Sequence, residues 1–497
     1  MPRVLILGFD GMDRELIDEF EDDLPNLKKI QSLSPKLRLT STFPPDSETA
    51  WSSIYTGLNP AKHGVVHFID PLEKSLMNQT KDADSELIRG NTFWDKASEG
   101  GKQVCIVLPH IGYPVWPVNG IMIGRSSVED DVQTWSENIL NDQDLNKLNT
   151  IKGFPGIGGI PHDEFIQKHK DLLDSTLKIG LSCYEKQEWD IFFIYSSILD
   201  VVPHFFWKYH DVEDPDYIKD NPFSSVLRDL YILHDKFIAQ FLNRIDTETV
   251  LMVVSDHGHG RRPTKNININ EILRQQGFLV EAEKRASSGI FEAFKCQAIE
   301  IISNHNLENI ASKLLQRLPS VKKLCISSPS IDWKLTLAYV TDLSGIKSYP
   351  YGGISINRDI IKDDSIYEQT RENIIDLLSP EVTKSSGSSD PAILWVKKRE
   401  EIYDGPFIEK YPDIVFELNE EYGIGNKIRC DVLERNALHA VVPGSHKRYN
   451  AVLLISNLNS PVVRTNVSLE DIAPTILSII GLDYSDKIFD GNSIIAK

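Results

Sequence analysis

The sequence predicts an α/β fold in which helices cover both faces of a mostly parallel sheet. Short runs that are apolar at every position are typical of strands buried on both faces, and the longer amphipathic stretches between them are typical of helices. Such an alternation is characteristic of a parallel sheet covered by helices. The strands are predicted at residues 4–8, 103–108, 190–195, 249–255 and 451–455. The helices are predicted at residues 13–20, 49–56, 93–98, 164–186, 224–246 and 469–480.

Two segments do not follow this alternation. Residues 126–163 are polar and then rich in glycine and proline, which predicts a surface insertion. Residues 281–330 carry apolar side chains at helical spacing, which predicts a helical cap or subdomain. The chain is therefore predicted to form one α/β domain from residues 1–280 and 331–497, interrupted by these two additions.

Composition argues against several classes of protein. The chain has 72 acidic and 53 basic residues and a net charge of −19 at pH 7, so we expect no nucleic-acid polymer as a partner. The five cysteines are dispersed and form no CxxC pair, which argues against a disulfide framework or a thiolate metal site. The sequence has neither a signal-like start nor an apolar run of about 18 residues. These features predict a cytoplasmic protein without a membrane span.

Carboxylates and imidazoles cluster near the ends of the predicted strands. Loops at the carboxyl ends of parallel strands gather in one crevice, so we expect these side chains to lie together. Oxygen and imidazole ligands suit borderline divalent metals, and six of them can serve two ions. The candidate ligands are Asp10, Asp200, His204, Asp256, His257 and His446. The sequence thus predicts a site for two divalent cations, with zinc preferred and manganese as the alternative.

Ser47 is the candidate nucleophile, and it lies where a loop gives way to the helix predicted near Thr49. Serine is also a common N-cap residue, and composition does not separate the two roles. The roles are compatible, because a helix N-terminus also favours an anion placed against it. Both interpretations therefore stay open in the sequence.

Together these residues resemble the alkaline phosphatase superfamily, and within it the type I phosphodiesterase/nucleotide pyrophosphatase branch with its predicted phosphohydrolase and phosphomutase relatives. The resemblance covers most of the chain. It rests on Phe9-Asp10-Gly11-Met12-Asp13, Ser47 nine positions before Thr56-Gly57, Asp200-Val-Val-Pro-His204, Ser255-Asp-His-Gly258, Gly444-Ser-His446 and Asp471-Ile-Ala-Pro-Thr475. It implies an alkaline phosphatase-like fold and a phosphodiesterase or phosphatase acting on a small phosphate ester.

The resemblance also implies a role for each candidate residue. Ser47 would attack phosphorus and form a phosphoseryl intermediate, with bound metal stabilising the serine alkoxide. The implied ligand sets are Asp200, His204 and His446 for one metal, and Asp10, Asp256 and His257, with the Ser47 oxygen, for the other.

The chain departs from nucleotide pyrophosphatases of this branch at two places. Those enzymes usually carry threonine where this chain has Ser47. They also carry an asparagine that holds a phosphoryl oxygen, in a stretch that here contains Val66-His67-Phe68.

Three further residues are candidates for substrate binding. Lys62 lies in a turn at 60–64, His110 follows the strand predicted at 103–108, and Arg261 belongs to a basic cluster after His257. His259 lies beside the candidate ligands and is predicted to be a loop residue that need not coordinate.

Two alternatives to a hydrolase remain from the sequence. A phosphomutase of the cofactor-independent phosphoglycerate mutase kind uses a comparable phosphoserine and two metals but returns the phosphoryl group to its substrate. A non-catalytic metal-binding protein could keep the same fold, although the complete set of candidate ligands argues against a decayed site. The sequence predicts no oligomeric state.

Overall fold

The computed structural model describes residues 3–69, 84–136, 145–156, 159–282, 331–343, 349–379, 391–482, 484 and 488–496. The strands are β1 (Arg3–Phe9), β2 (Arg38–Thr40), β3 (Phe68–Ile69), β4 (Val104–Val107), β5 (Gly120–Arg125), β6 (Val132–Trp135), β7 (Ile191–Ser196), β8 (Thr249–Val254), β9 (Gly258–Arg261), β10 (Lys265–Asn268), β11 (Ala338–Leu343), β12 (Tyr351–Ile356), β13 (Ile393–Lys398), β14 (Ile414–Leu418), β15 (Tyr422–Gly425), β16 (Leu433–Arg435), β17 (Gly444–Lys447), β18 (Leu453–Ser456) and β19 (Asn466–Ser468). The α-helices are α1 (Arg14–Glu19), α2 (Pro25–Leu33), α3 (Ser47–Thr56), α4 (Pro60–His63), α5 (Ser85–Ile88), α6 (Phe93–Glu99), α7 (His162–Tyr184), α8 (Ile198–His210), α9 (Val226–Leu242), α10 (Ile269–Gln275), α11 (Asp364–Leu378) and α12 (Ile472–Ile479).

In the described part of the chain, the central sheet has the strand order β18-β8-β1-β7-β4-β5-β6. Strands β8, β1, β7, β4 and β5 are parallel, and the edge strands β18 and β6 are antiparallel to their neighbours. The predicted α/β class with a mostly parallel sheet is confirmed. The prediction of a parallel strand at 451–455 is wrong in direction. Strand β18 pairs antiparallel with β8 at the edge of the sheet.

Both faces of the central sheet are buried. Along β1, Leu5, Leu7 and Phe9 pack into an apolar core that includes residues of α8 and α9. Val4 and Ile6 pack into a second core that includes residues of α3 and α12. Successive side chains of a strand point to opposite faces, so a strand covered by helices on both faces is apolar at every position.

A second sheet comes from a part of the sequence for which no strands were predicted. Its strands pair antiparallel in the order β13-β14-β12-β11-β3, and helix α11 packs on it through Ile374 and Leu378. Three smaller sheets have the orders β15-β10-β16, β17-β9 and β19-β2. The β17-β9 pair brings the C-terminal part of the chain against the loops of the central sheet.

The two predicted additions are described only in part. The predicted helical cap falls at 283–330 outside the described residues, which end at 282 and resume at 331. The described part of 126–163 contains β6 at the sheet edge and the beginning of α7. The division into one domain with two additions therefore stays a prediction. In the described ranges, every helix is too short or too polar to cross a membrane.

Candidate metal centre and active site

The candidate metal ligands converge at the carboxyl edge of the central sheet. They follow β1, β7 and β8, or lie on β17, which pairs with β9 immediately beyond β8. The structure thus brings together all six predicted ligands, Asp10, Asp200, His204, Asp256, His257 and His446.

A glycine allows two of these loops to approach. Gly11 has a φ of 67°, a left-handed conformation that glycine adopts without strain. A Cβ atom at this position would lie 2.9 Å from Cα of Asp200. A larger residue would therefore push the loop of Asp10 away from the helix that carries Asp200.

Asp10, Asp256 and His257 form the first ligand cluster. Nε2 of His257 lies 3.5 Å from Oδ1 of Asp10 and 3.2 Å from Oδ2 of Asp256. Oγ of Ser47 lies 3.2 Å from Oδ1 of Asp10 and 3.2 Å from Nε2 of His257. The serine oxygen is therefore part of this cluster.

Two aromatic side chains fix the orientation of Asp10. Nε1 of Trp51 donates a hydrogen bond to Oδ2 of Asp10 at 3.1 Å, and the hydroxyl of Tyr195 donates to the same oxygen at 2.5 Å. Because Oδ2 accepts both bonds, Oδ1 is the oxygen that faces Ser47.

Asp200, His204 and His446 form the second cluster. Oδ1 of Asp200 lies 3.2 Å from Nε2 of His204 and 3.2 Å from Nε2 of His446, and the two Nε2 atoms are 3.0 Å apart. Nδ1 of His204 lies 3.1 Å from the carbonyl oxygen of Gly444, and Nδ1 of His446 lies 2.6 Å from that of Pro45. A carbonyl only accepts, so Nδ1 carries the hydrogen and Nε2 of the neutral ring presents a lone pair. The converging acceptor atoms fit a cation between them.

Burial and the close approach of the carboxylates perturb the titratable groups of this centre. Oδ1 of Asp200 and Oδ2 of Asp256 are buried and lack a hydrogen-bond partner. Burial, and then repulsion by Asp10 and Asp200, raises the pKa of Asp256 well above its usual value, and burial lowers the pKa of His446. In the described ranges, no lysine or arginine lies within 4.0 Å of the three carboxylates, whose ionic partners there are histidines. Two divalent cations with oxygen and imidazole ligands fit this donor set.

Ser47 is the first residue of α3, and Asp46 is the N-cap, with its Oδ2 3.4 Å from the backbone nitrogen of Thr49. The interpretation of Ser47 as the N-cap is therefore wrong, and its hydroxyl faces the first cluster instead. The helix N-terminus carries partial positive charge, which favours an anion beside Ser47.

A cavity of about 440 Å³ opens onto both clusters. His110 lines this cavity, as expected for a substrate contact, and its Nδ1 lies 3.1 Å from the Tyr195 hydroxyl. The same wall contains an apolar section made of Ile111, Phe154, Val201 and Phe205. The cavity therefore combines a polar end with an apolar wall.

Lys62 and Arg261, predicted to bind substrate, are not among the described residues that line this cavity. Lys62 pairs with Asp490 and lies 3.7 Å from Asp404. Nη1 of Arg261 donates to the carbonyl of Glu213 at 2.6 Å. Local acceptors hold both cations away from the metal clusters.

Three polar residues of the site were not predicted. His259 lies on β9 with Nδ1 3.5 Å from Oδ1 of Asp200, and neither of its ring nitrogens has a hydrogen-bond partner. His67 lines the cavity, with Nδ1 2.7 Å from Oδ1 of Asp46. Arg125, the last residue of β5, also lines the cavity.

Sequence signals existed for two of them. His259 alternates with His257, and residues two apart along extended backbone share a side. It forms an alternative ligand group with Asp200 and His204. Arg125 follows the apolar run Ile121-Met122-Ile123, a short strand pattern whose end points to the same crevice.

The fold and the site together define a metal-dependent hydrolase of phosphoester bonds. The family model for type I phosphodiesterase/nucleotide pyrophosphatase matches residues 4–446, so the chain belongs to this family. Enzymes of the family depend on metal ions. No curated protein sequence matches the chain.

Two solved structures are similar over nearly the whole chain. Phosphonoacetate hydrolase from Sinorhizobium meliloti 1021, in complex with phosphonoformate, has a TM-score of 0.59 at 15% identity, covering 97% of this chain and 96% of that chain. Human ectonucleotide pyrophosphatase/phosphodiesterase 5 has a TM-score of 0.48 at 12% identity, covering 99% of this chain and 97% of that chain. The likeness to the first structure supports the same fold.

Proposed function

We propose that this protein hydrolyses a phosphate ester of a small molecule, with Ser47 as the nucleophile and two divalent cations as cofactors. The observation that carries the proposal is the position of Oγ of Ser47, the first residue of helix α3. This oxygen lies 3.2 Å from both Oδ1 of Asp10 and Nε2 of His257. The proposed ligands of one cation are Asp10, Asp256 and His257. Those of the other are Asp200, His204 and His446, whose ligand atoms lie within 3.2 Å of one another.

The residues of the chain explain how the reaction would proceed. Cations bound at the two clusters would lower the pKa of the Ser47 hydroxyl and neutralise phosphoryl oxygens. Asp10 and His257 hold Oγ of Ser47 in place for attack. Oγ forms a bond to phosphorus as the ester oxygen leaves, which gives a phosphoserine. A water oxygen then replaces Oγ on phosphorus, so that inorganic phosphate or a monoester departs and the serine hydroxyl is restored.

The donor set favours zinc or manganese as the cofactor. Three imidazole nitrogens among six ligands suit these metals, whereas magnesium prefers oxygen ligands and retains water. Zinc is our first choice, because Asp/His sets with few ligands per ion are typical of zinc.

The substitution Ser47→Ala tests the nucleophile. We expect turnover of nitrophenyl phosphate and bis-nitrophenyl phosphate to fall by about 10³-fold or more, with metal content and melting temperature unchanged. The matched control is Ser52→Ala on the same helix, whose hydroxyl donates to the carbonyl of Glu48 within the helix. Unchanged turnover in Ser47→Ala would refute the assignment.

The products separate hydrolysis from phosphomutase chemistry. A hydrolase releases inorganic phosphate from a monoester, or a monoester from a diester, whereas a mutase returns the phosphoryl group to its substrate. We expect chelator-sensitive product release, measured with zinc or manganese added back. Isomerised substrate without free phosphate would contradict the proposal.

A further inference from the structure

His259 lies on the same face of the β9-β17 pair as His446. The two residues are directly opposite each other in this antiparallel pair, and opposite side chains share a face of a sheet. On helix α8, Asp200 and His204 are four positions apart and therefore also share a face. Helix α8 packs against both β9 and β17. The fold thus brings a pair of side chains from the helix and a pair from the strands to one place.

The position of His259 matches that of a metal ligand. Its Nδ1 lies 3.5 Å from Oδ1 of Asp200. The same oxygen lies 3.2 Å from Nε2 of His204 and 3.2 Å from Nε2 of His446. Donor atoms that bind zinc at about 2.0–2.1 Å with tetrahedral angles lie roughly 3.3 Å from one another. The imidazole of His259 is therefore close enough to share a cation with the other three groups.

Both ring nitrogens of His259 lack a hydrogen-bond partner among the described residues, although this residue is only 1% exposed. Buried polar groups in native structures are rarely left in this state, because burial removes their bonds to water. A Cβ atom at Gly444 would lie 2.5 Å from Nε2, so the backbone occupies that side of the ring. Nδ1 is the nitrogen that faces Asp200, and a cation bound there would give it a partner.

We propose that His259 is a fourth ligand of the cation at the second cluster, beside Asp200, His204 and His446. This inference rests on the proposed function and makes the two cation sites unequal. The second cluster would offer three imidazoles and one carboxylate, whereas the first offers two carboxylates, one imidazole and the Ser47 oxygen. Nitrogen-rich sites bind zinc more tightly than manganese. The second cluster therefore holds the more tightly bound zinc, and the cation beside Ser47 exchanges more readily.

Counting the imidazoles at bound zinc tests the proposal directly. The protein used is His257→Gln, which lacks the imidazole of the first cluster, freed of metal by a chelator and then given one equivalent of zinc. We expect X-ray absorption spectroscopy to find three imidazole ligands in this protein, and two when His259→Leu is added. Two imidazoles in the protein that retains His259 would overturn the proposal, and this result does not depend on the folding of the His259 variant.

Zinc affinity provides a second test, measured by competition with a chromogenic chelator. His259→Leu should weaken binding of the tighter zinc by more than about 100-fold, whereas loss of a residue that only orients a ligand costs about 10–100-fold. Cobalt bound at the second cluster should also change its visible absorption, which follows the number and kind of ligands. A smaller loss of affinity, or an unchanged cobalt spectrum, would overturn the proposal.

The matched control is His169→Leu, which removes another buried histidine. Nδ1 of His169 lies 2.7 Å from the carbonyl oxygen of Phe165 within helix α7, and this substitution should leave zinc affinity unchanged.

These measurements separate the proposal from the proposed function. Three imidazoles at zinc, in a protein whose wild type releases no product from phosphate esters, would support the proposal while the proposed function fails. Turnover that requires two cations, with two imidazoles at the tighter site, would support the proposed function and overturn the proposal. A wild-type protein that binds no zinc would overturn both.

Discussion

Two clusters of aspartate and histidine in this molecule share their ligand chemistry but differ in charge. One is the proposed metal centre, and the other, which we name the outer cluster, consists of Asp214, Asp216 and His439. In the outer cluster Nδ1 of His439 donates to the carbonyl of Arg262 at 3.0 Å, and Nε2 lies 2.9 Å from Oδ1 of Asp214. The histidines of the metal centre have the same arrangement of carbonyl and carboxylate.

The outer cluster can balance its charge without a metal. Nη2 of Arg435 lies 2.9 Å from Oδ1 of Asp216, and Nε2 of His439 lies 2.9 Å from Oδ1 of Asp214. Buried carboxylate oxygens without hydrogen-bond partners occur in both clusters, so this feature does not distinguish them.

The metal centre lacks such a balance. Its three carboxylates have only histidines as ionic partners in the described part of the chain, and two Nε2 atoms face each other at 3.0 Å. Ligand types alone therefore do not distinguish a metal centre from an ion pair. The difference is that three buried carboxylates lie together in the metal centre without a lysine or arginine within 4.0 Å among the described residues, because such a group of buried charges is unfavourable without a cation.

The largest expected effect follows from removing a ligand of the metal centre. Asp256→Asn and His446→Ala should each lower turnover by about 10³-fold or more, because the cation at the altered cluster is lost. Elemental analysis should find about one metal equivalent fewer than in the wild type. Full metal content in both variants would contradict the assigned ligand sets.

Metal removal should destabilise the protein more at high pH than at low pH. The folded-state pKa of Asp256 is raised by burial and by the neighbouring carboxylates, so without metal this group favours the folded state when protonated. That stability is present below the unfolded pKa of about 3.9 and is lost as pH rises through the folded value. Bound metal prevents the loss, since metal ligands are deprotonated. The drop in melting temperature on adding a chelator should be larger at pH 8 than at pH 5; a larger drop at pH 5 would argue against this account.

A moderate effect is expected from the outer cluster. His439→Gln breaks the buried contact with Asp214 and should lower the free energy of unfolding by about 1–3 kcal/mol. Because no cation is needed there, metal content should equal that of the wild type, and the chelator effect should be the same. Loss of a metal equivalent in this variant would show that the outer cluster also binds a metal, contrary to the proposed difference between the two clusters.

The smallest effect concerns Arg435, which is largely exposed. Arg435→Gln removes its ion pair with Asp216 and should change the free energy of unfolding by less than about 1 kcal/mol. Urea denaturation measures this change, with Arg358→Gln, at another exposed pair with Asp364, as the control. A loss several times larger would mean that Arg435 carries more of the charge balance than its exposure suggests.

Much of the central sheet was predictable because its signal is local. The predicted strands at 4–8, 190–195 and 249–255 correspond to β1, β7 and β8, which differ from them by one residue or less at each end. The edge of the second sheet gave no such signal. Its edge strand β13 is only partly buried along most of its length, so its residues lack a clear pattern of apolar positions.

The sequence by itself determined the class of fold and the six candidate ligands, because burial patterns and residues at strand ends are properties of short segments. Only the tertiary structure decided which hydrogen-bond and ion-pair partner each polar side chain has. The carbonyl of Pro45, 401 positions before His446, accepts a hydrogen bond from Nδ1 of that ring and so leaves Nε2 to face the cluster. Asp46, rather than Ser47, is the N-cap of helix α3. It also decided that Lys62 pairs with Asp490, whereas Arg125, which donates to Leu148 and Ser197, lines the cavity. The physical reason is that electrostatic partners are set by distance in space, which a pattern along the chain does not encode.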